Sequence, residues 1–430
     1  CTKIDNFLFL VKLLNHMLKH ITNLILSKGL FAISGFIFWW IAAKFYTIDQ
    51  IGVASTLISS TSLILLFTSL VLMPFGRFLP NHNNKKSFIY SSYLFSFAIF
   101  IASLLAFFFV VYFWIPALNF ITSPFFFIHF CLFSFSMFIF HNSNSLLVPL
   151  KFTKIILIKD LIQNYSRLII LPCLVLLGGF GIFGANSVGA MLSLFFLYFA
   201  IKYQNKQLSG SYKYNFKFIR EVSPYIAVNT INLINLSIPG CLLPLIIIIL
   251  FSKQEAGLFY IPWMFFSTYS HFIKIVLIVF LVESSHIEQV KPFIKKTILL
   301  TSLLVIIGLV IFLFFGDLIL LLFNKNFSIY CFLMLKILFI SLIPYSVNQF
   351  YIVLQNFQKN FKKLLWFNLS ILILLILGIF ILIPRYHSLG IVYAWFIANM
   401  LPCFFILLLI LKKYCFHFYP AFLTKKNKKI

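Results

Sequence analysis

The chain of 430 residues is far more apolar than a soluble protein, since 62% of its residues are hydrophobic and only 10% are charged. A soluble domain carries about 25% charged residues, so this composition excludes a soluble globular protein and indicates an integral membrane protein. The apolar runs are long and do not alternate with polar residues, which favours membrane-spanning helices over a β-barrel. The net charge of +26 lies mainly in short connections, a distribution typical of cytoplasmic loops and not of nucleic-acid binding.

The N-terminal segment, residues 1–21, is amphipathic and basic. The sequence begins with Cys1 instead of Met; we interpret this as a truncated reading frame rather than a lipoprotein, and whether Cys1 is the true N-terminus stays open. His16 and His20 are four residues apart, but without a third ligand nearby we expect no metal site there. The seven cysteines are scattered, lack a C-x-x-C pattern and are expected to be free thiols.

Twelve apolar runs follow, each long enough to cross a bilayer as a helix. We place them at about residues 22–44, 51–73, 88–114, 124–148, 161–179, 185–204, 223–250, 257–281, 298–322, 329–352, 364–384 and 389–411. The longest connection, residues 205–222, separates the first six spans from the last six. We therefore predict an N-terminal half (1–204), a cytoplasmic linker (205–222), a C-terminal half (223–411) and a basic cytoplasmic tail (412–430).

The basic residues also predict the orientation. With the N-terminus in the cytoplasm, the inside segments hold 26 Lys and Arg residues, the outside loops hold 4, and the remaining four lie within spans. This bias follows the positive-inside rule and supports the even number of spans. We expect a multi-pass protein of the cytoplasmic (inner) membrane with both termini in the cytoplasm.

The turn between the first two spans has a recognisable sequence pattern. Thr47 and Gln50 form a capping box, in which hydroxyl and amide satisfy free N–H groups where the second helix begins. Gly52 lies in the first turn of that helix. About 200 residues later the pattern recurs at Ser252, Glu255 and Gly257. We interpret the recurrence as an internal duplication that begins each half, since transporters are often built from such repeats.

The same hairpin resembles that of a known family. The family ends its first helix with the pattern A-[KR]-x-[LF], and here Ala43–Tyr46 follows it except that Tyr46 occupies the last position. Asp49 then lies in the turn, and Gly52 lies in the first turn of the second helix. Gly76-Arg77 and Lys85-Lys86 then supply the glycine, arginine and short basic loop that follow it. This pattern is similar to that of polysaccharide and O-antigen flippases in the multidrug/oligosaccharidyl-lipid/polysaccharide exporter superfamily. The resemblance implies an all-α V-shaped bundle of about twelve transmembrane helices in two six-helix halves, working by alternating access.

Basic residues within the spans are the first candidates for a binding site. Lys28, Arg167 and Lys274 lie about 10 Å from the cytoplasmic ends of their spans, from the 1.5 Å rise per residue. Charges in hydrocarbon usually face a cavity or a partner, although long side chains at this depth can also reach the surface. Lys and Arg pair strongly with phosphate oxygens, so a cationic cavity suits a lipid pyrophosphate. In the resembling flippases, basic residues on early helices of each half line such a cavity, and Lys28 and Lys274 match that pattern by helix and depth.

Polar residues within two spans are further candidates. Asn229, Asn232 and Asn235 share one face of the seventh span, and Asn142 and Asn144 lie late in the fourth. Their amides could hydrogen-bond sugar hydroxyls, or they could join neighbouring helices, as polar side chains in membranes commonly do.

The acidic residues do not support catalysis. All eight, Asp160 among them, are expected at or near the membrane surfaces, and no carboxylate pair, nucleophile set, nucleotide loop or metal-ligand cluster stands out. No connection is long enough to form a catalytic domain. We therefore expect no enzyme, no cofactor and no metal.

These observations favour a flippase that moves a polyprenyl-pyrophosphate-linked oligosaccharide, such as an O-antigen, capsule or other surface polysaccharide repeat unit. Its partners would be that lipid-linked oligosaccharide and membrane lipids, with H⁺ or Na⁺ coupling and contact with a polysaccharide polymerase left open. The alternatives are a multidrug exporter of the same superfamily, a membrane polysaccharide polymerase or acyltransferase, and a non-transporting scaffold. A drug exporter would be expected to use a buried acid, whereas a polymerase or acyltransferase would need a large loop.

Overall fold

The architecture is that of a helical membrane protein. A computed structural model describes residues 29–79, 82–204, 211–215, 226, 240–284, 291–358 and 360–415. Regular secondary structure in these ranges is helical throughout. The principal helices are α1 (Gly29–Phe45), α2 (Ile48–Leu72), α3 (Lys85–Trp114), α4 (Pro124–Leu147), α5 (Thr153–Ile170), α6 (Gly179–Gln204), α7 (Gly240–Leu250), α8 (Lys253–Ser284), α9 (Lys291–Phe314), α10 (Lys325–Ile340), α11 (Leu342–Phe357) and α12 (Phe361–Cys415). Shorter helices, Phe75–Phe78, Pro116–Thr122, Leu171–Leu177 and Gly316–Phe323, lie in or beside the connections.

Ten of the twelve predicted spans lie wholly within the described ranges, and each of these coincides with one or more helices. Of the predicted spans 22–44 and 223–250, the described residues 29–44, 226 and 240–250 are helical. Helices α10 and α11, separated at Ser341, together form the tenth span. Helix α12 contains the last two spans, because the chain turns back at His387 and brings Gly378 against Ala394. Eight helical stretches of the described chain are long and apolar enough to cross a membrane, and α1 and α7 are shorter apolar helices. The expected all-α membrane fold is thereby confirmed.

The helices differ in how much of their apolar surface the protein covers. In α2 and α6, 72% and 67% of the apolar window is buried, whereas in α3 and α9 only 28% is. Apolar residues exposed on a membrane helix contact lipid tails instead of water. We infer that α2 and α6 are central helices and that α3 and α9 lie at the lipid boundary.

The capping box at the start of α2 is present as predicted. The Gln50 amide N–H donates to Thr47 Oγ1 at 3.3 Å, and the Thr47 N–H donates to Gln50 Oε1 at 3.0 Å. The neighbouring Tyr46 hydroxyl donates to the Leu171 carbonyl at 2.8 Å. Burial, followed by the charge of Cys173, raises the pKa of Tyr46 to about 12, so this hydroxyl remains a donor at neutral pH. At the start of α8, Ser252 Oγ likewise accepts from the Glu255 N–H at 3.2 Å.

A second turn conformation also recurs in the chain. Gly178, before α6, has φ 57° and ψ −139°, and His387, within α12, has φ 51° and ψ −135°. In each case a glycine three residues later, Gly181 or Gly390, packs its Cα against a carbonyl of the preceding helix. The separation of 209 residues, 178 to 387, is close to that of the two capping motifs. This recurrence supports the proposed internal duplication.

The chain forms two compact units. The first comprises the described residues up to Ile261 together with Leu322–Asn324, and the second comprises Pro262–Leu321 and the described residues from Lys325 onward. The boundary between them falls inside α8. The predicted division into two six-helix halves at residues 205–222 therefore stays a prediction.

Candidate functional site

Helix α5 has its polar face turned inward. Five neighbouring residues on this face are buried: Lys159, Asp160, Gln163, Asn164 and Arg167. On the opposite face Tyr165 and Ile169 are 60% and 72% exposed. A surface helix in a soluble protein turns its apolar face toward the protein, whereas α5 turns its polar face inward. This arrangement fits a helix whose apolar outer face contacts lipid.

The guanidinium of Arg167 is the centre of a buried polar cluster in the first unit. Its Nη2 donates to Ser34 Oγ on α1 at 2.8 Å, and its Nη1 donates to Asn186 Oδ1 on α6 at 3.3 Å. Gln163 Nε2 donates to the same Asn186 oxygen at 2.9 Å. We refer to Ser34, Gln163, Asn164, Arg167 and Asn186 as the Arg167 cluster.

Several atoms of the Arg167 cluster have no hydrogen-bond partner among the described residues. They are Arg167 Nε, Gln163 Oε1 and both side-chain polar atoms of Asn164. All three residues are at least 95% buried. A buried polar atom without a partner is unfavourable by about 1–3 kcal/mol. The cluster therefore offers donors and acceptors to a polar ligand or to water.

Aromatic rings surround the cation. The guanidinium carbon of Arg167 lies 5.1 Å from the ring centroids of both Phe31 and Phe38 on α1. Trp39, which follows Phe38 on α1, has its ring 4.6 Å from that of Tyr260 on α8. These rings stabilise a cation through their faces but do not neutralise it. Arg167 has no carboxylate within ion-pair distance among the described residues.

A buried charge pair, Lys159 and Asp160, lies one helical turn from the Arg167 cluster. Lys159 Nζ is 3.3 Å from Asp160 Oδ1, donates to the Phe140 carbonyl at 2.9 Å and lies 3.7 Å from the centroid of the Phe140 ring. Asp160, which we expected at or near a membrane surface, is only 7% exposed and is therefore covered by protein. Helix α5 begins eight residues before the predicted span, at Thr153, so Asp160 lies inside the helix bundle.

Of the two predicted polar residues of α4, Asn142 connects helices. Asn142 is fully buried; its Nδ2 donates to Thr68 Oγ1 on α2 at 3.1 Å, and its carbonyl accepts from the Tyr93 hydroxyl on α3 at 2.9 Å. Asn144 Oδ1 is buried without a partner in the described chain. No hydrogen bond of the described residues joins either asparagine to the Arg167 cluster.

The second unit contains a separate polar group around Lys274. This half-buried lysine on α8 has its Nζ 5.9 Å from the centroid of the Tyr345 ring. One helical turn along α11, Asn348 Nδ2 donates to the Asn399 carbonyl of α12 at 2.8 Å. Asn348 Oδ1 and the indole Nε1 of Trp395 are buried without hydrogen-bond partners in the described part of the chain.

The other predicted site residues lie outside the described residues, namely Lys28, Asn229, Asn232 and Asn235. His16 and His20, at which no metal site is expected, lie outside them as well. The expected convergence of Lys28 and Lys274 on one cavity therefore stays a prediction. Among the described residues, no group of three or more His, Cys, Asp or Glu side chains could hold a metal ion.

Sequence reasoning identified Arg167 but missed the residues around it. A spacing of one and three residues places five polar side chains on one helical face: Lys159, Asp160, Gln163, Asn164 and Arg167. Because the predicted span began at residue 161, the first two were assigned to a connection and the stripe was overlooked. Ser34 and Asn186 carry no comparable signal, since each is an isolated polar residue in an apolar run.

The fold is similar to solved structures of transporters. MurJ, a lipid II flippase in an inward closed conformation, has a TM-score of 0.64 at 15% identity and covers 94% of both chains. An inward-facing multidrug resistance MATE family transporter of the MOP superfamily has a TM-score of 0.59 at 12% identity, over 94% of this chain and 96% of that chain. The Vibrio cholerae MATE transporter VcmN has a TM-score of 0.55 at 13% identity, over 96% and 99%. No family model matches the chain, and no curated protein matches it in sequence. At these identities the similarity establishes the fold alone: this chain has the membrane-transporter fold shared by MurJ and MATE structures.

Proposed function

We propose that this protein is a membrane flippase that moves a polyprenyl-pyrophosphate-linked oligosaccharide between leaflets by alternating access. The chemistry is binding and release, without bond cleavage, so the protein is not proposed to be an enzyme. In this proposal the chain is a multi-pass protein of the inner membrane with both termini in the cytoplasm, and its two halves are the predicted six-helix repeats.

The observation that carries the proposal is the buried guanidinium of Arg167. A buried cation is unfavourable unless it is paired, and Arg167 has hydroxyl, amide and aromatic neighbours but no carboxylate in the described structure. Its free Nε and the nearby Asn164 amide are donors three residues apart on one helix face. An anionic phosphate oxygen would accept both hydrogen bonds and supply the missing negative charge.

The multidrug exporter is the second candidate, and buried Asp160 is the observation that favours it. A lone buried carboxylate would suit a cationic drug. Here Lys159 lies against Asp160, so the pair carries no net charge. Arg167 is the third buried charged residue of the described chain, and one positive charge therefore remains. This balance supports an anionic substrate over a cationic one.

Hydroxyls and amides inside the first unit support a carbohydrate portion. Helix α2 alone buries six Ser and Thr side chains: Ser55, Thr56, Ser59, Ser60, Thr61 and Thr68. Some of these hydroxyls bond to backbone carbonyls one turn earlier, as Thr56 does to Gly52 at 2.8 Å. Such hydroxyls retain acceptor capacity. In this proposal these hydroxyls, together with the Oδ1 atoms of Asn142 and Asn144 that have no partner in the described chain, accept hydrogen bonds from the sugar hydroxyls.

The proposal is tested by changing Arg167. Charge-assisted hydrogen bonds contribute about 1.5–3 kcal/mol, so Arg167→Met should weaken binding of polyprenyl pyrophosphate by roughly 10- to 100-fold. Arg167→Lys keeps the positive charge but lacks the planar guanidinium with its parallel N–H donors, so it should retain part of the affinity. Binding is measured with purified protein in lipid nanodiscs, and function is measured as surface glycan restored to cells that lack a flippase.

The matched control is Lys154→Met, because Lys154 lies on the same helix but is exposed. It should leave binding and glycan export unchanged. Full lipid binding and glycan export by a folded Arg167→Met protein would contradict the proposal. Loss of resistance to a cationic drug, with glycan unaffected, would favour the exporter instead.

A further inference from the structure

A group of aromatic rings lies inside the second unit, where α8, α11 and α12 pack together. The ring centroid of Phe266 on α8 lies 5.8 Å from the centroids of both Tyr345 on α11 and Trp395 on α12. The Tyr345 and Trp395 centroids are 6.1 Å apart. All three side chains are buried, so the rings form a continuous aromatic surface inside the protein.

Two polar atoms beside these rings have no hydrogen-bond partner among the described residues, namely Asn348 Oδ1 and Trp395 Nε1. Asn348 lies one turn after Tyr345 on α11 and is fully buried. Its Nδ2 donates to the Asn399 carbonyl at 2.8 Å, and Asn399 Nδ2 donates to the Trp395 carbonyl one turn earlier on α12 at 2.9 Å. These bonds fix one acceptor and one donor on facing helices, where leaving either unpaired is unfavourable.

Lys274 adds a cationic donor beside the same rings. It lies on α8, is half-buried, and has its Nζ 5.9 Å from the centroid of the Tyr345 ring. The described residues of the second unit bury no carboxylate that would pair with it. We define the Trp395 group as five residues of this unit: Phe266, Lys274, Tyr345, Asn348 and Trp395.

The Trp395 group does not match three classes of ligand. A cationic drug would be repelled by Lys274 and would meet no buried carboxylate in the described part of this unit. The oxygens of an ionised pyrophosphate only accept hydrogen bonds, so they would leave Asn348 Oδ1 unpaired. An apolar lipid tail would leave both Asn348 Oδ1 and Trp395 Nε1 unpaired. The group therefore requires a ligand that both donates and accepts hydrogen bonds.

Sugar hydroxyls meet this requirement, because a hydroxyl has one O–H donor and two acceptor lone pairs. One hydroxyl can donate to Asn348 Oδ1, and the same or a neighbouring hydroxyl can accept from Trp395 Nε1 or Lys274 Nζ. The C–H face of a sugar ring is apolar and packs well on aromatic rings. Binding sites for small molecules combine such an aromatic surface with a few placed polar groups.

We propose that the Trp395 group is a carbohydrate-binding site that holds one sugar residue of the transported oligosaccharide. The inference rests on the proposed function and deepens it, because it assigns part of the glycan to residues outside the Arg167 cluster. The expected consequence is selectivity: the protein binds a glycosylated polyprenyl pyrophosphate more tightly than the bare lipid.

The site is tested by Trp395→Phe, which removes the indole N–H but keeps an aromatic ring. Two probes are compared with purified protein in nanodiscs: the lipid-linked repeat unit extracted from cells that lack a flippase, and bare polyprenyl pyrophosphate. Trp395→Phe should weaken binding of the repeat unit by about 3- to 10-fold, the effect of one net hydrogen bond, and leave binding of the bare lipid unchanged. Trp366→Phe is the matched control, since Trp366 lies on the same helix but is 64% exposed, and it should change neither affinity.

A second variant decides the question if Trp395→Phe does not fold. Lys274→Met should weaken binding of the repeat unit by about tenfold, because hydrogen bonds from charged donors are stronger, and should spare the bare lipid. Lys336→Met is its control: Lys336 is also half-buried in the second unit, with its Nζ 4.0 Å from the Phe332 ring centroid. An equal loss with both lipids in Lys274→Met would place Lys274 at the pyrophosphate and overturn the carbohydrate site.

Failure of the site is distinguishable from failure of the proposed function. Arg167→Met should weaken binding of both lipids, since the pyrophosphate is common to them. Equal binding of the two lipids by the parent protein, or undiminished binding of the repeat unit by a folded Trp395→Phe protein, would show that the Trp395 group holds only buried water. Either result would overturn the carbohydrate site and leave the proposed function standing. Binding of neither lipid by the parent protein would overturn both.

Discussion

His387 occupies a backbone conformation that favours glycine, and replacing it tests the proposed duplication. Its φ of 51° and ψ of −135° nearly match those of Gly178, at the corresponding turn of the first repeat. An L-residue with a Cβ is strained there, whereas glycine is not. His387→Gly should therefore be more stable than His387→Ala, and Gly178→Ala should destabilise the protein.

The expected change in the free energy of unfolding follows from two opposing effects. A residue in such a sparsely populated region is strained by about 1–3 kcal/mol, and glycine loses about 0.5–1 kcal/mol through the entropy of the unfolded chain. Because His387→Gly also removes the imidazole, His387→Ala is the required reference: it deletes the same ring but keeps the Cβ. We expect the glycine variant to exceed the alanine variant by ~1–2 kcal/mol. Gly178→Ala meets the additional obstacle of Gln50 Nε2, 3.3 Å from the new Cβ.

The assay is thermal unfolding of the purified proteins in one detergent at one heating rate, because membrane proteins commonly unfold irreversibly. A difference of this size corresponds to a shift of a few °C at most, since the entropy of unfolding grows with chain length. If the His387→Ala protein is as stable as the His387→Gly protein, the turn carries no strain. The conformational match with Gly178 would then lose its value as support for a duplicated turn.

Three further predictions concern charge, orientation and packing. Asp160→Asn leaves Lys159 buried without its carboxylate and should lower the stability by about 3–5 kcal/mol, whereas a double variant with Lys159→Met should recover much of the loss in the same melting assay. A reporter enzyme fused after Lys217 should be active on the cytoplasmic side and one near Gln254 on the outer side; the reverse result would contradict the predicted orientation. Trp395→Phe removes a buried N–H that has no acceptor in the described structure and should leave the melting temperature unchanged or raised, so a large decrease would show that the indole has a partner.

The sequence was most informative where one physical requirement acts over many residues. A helix that crosses a bilayer needs about 20 apolar residues, so the spans that lie within the described ranges could be located from composition alone. The turn at Thr47 was also predictable, because a capping box depends on residues three apart in the sequence. The span boundaries were less accurate. Helix α5 begins at Thr153 and not near residue 161, because Lys159 and Asp160 are buried as an ion pair and do not interrupt the helix.

The Arg167 cluster shows what a sequence could not provide. Its members come from α1, α5 and α6, and Ser34 and Asn186 are isolated polar residues within apolar runs. The charge of Arg167 is visible in the sequence, whereas the lack of a carboxylate partner among the described residues is a property of the packed helices. The inward position of Asp160 beside Lys159 likewise depends on how α5 is turned against α4.

The amino-acid sequence by itself therefore determined the class of protein, the number of spans and the recurring helix-start motif, because these depend on hydrophobicity and on hydrogen bonds between near neighbours. Only the tertiary structure decided that Gly52 and Gly257 lie close together, and that Ser34 and Asn186 bind Arg167. Residues about 200 positions apart in a chain come together only when helices pack. Packing depends on the shape of whole helix surfaces, which no local pattern of residues records.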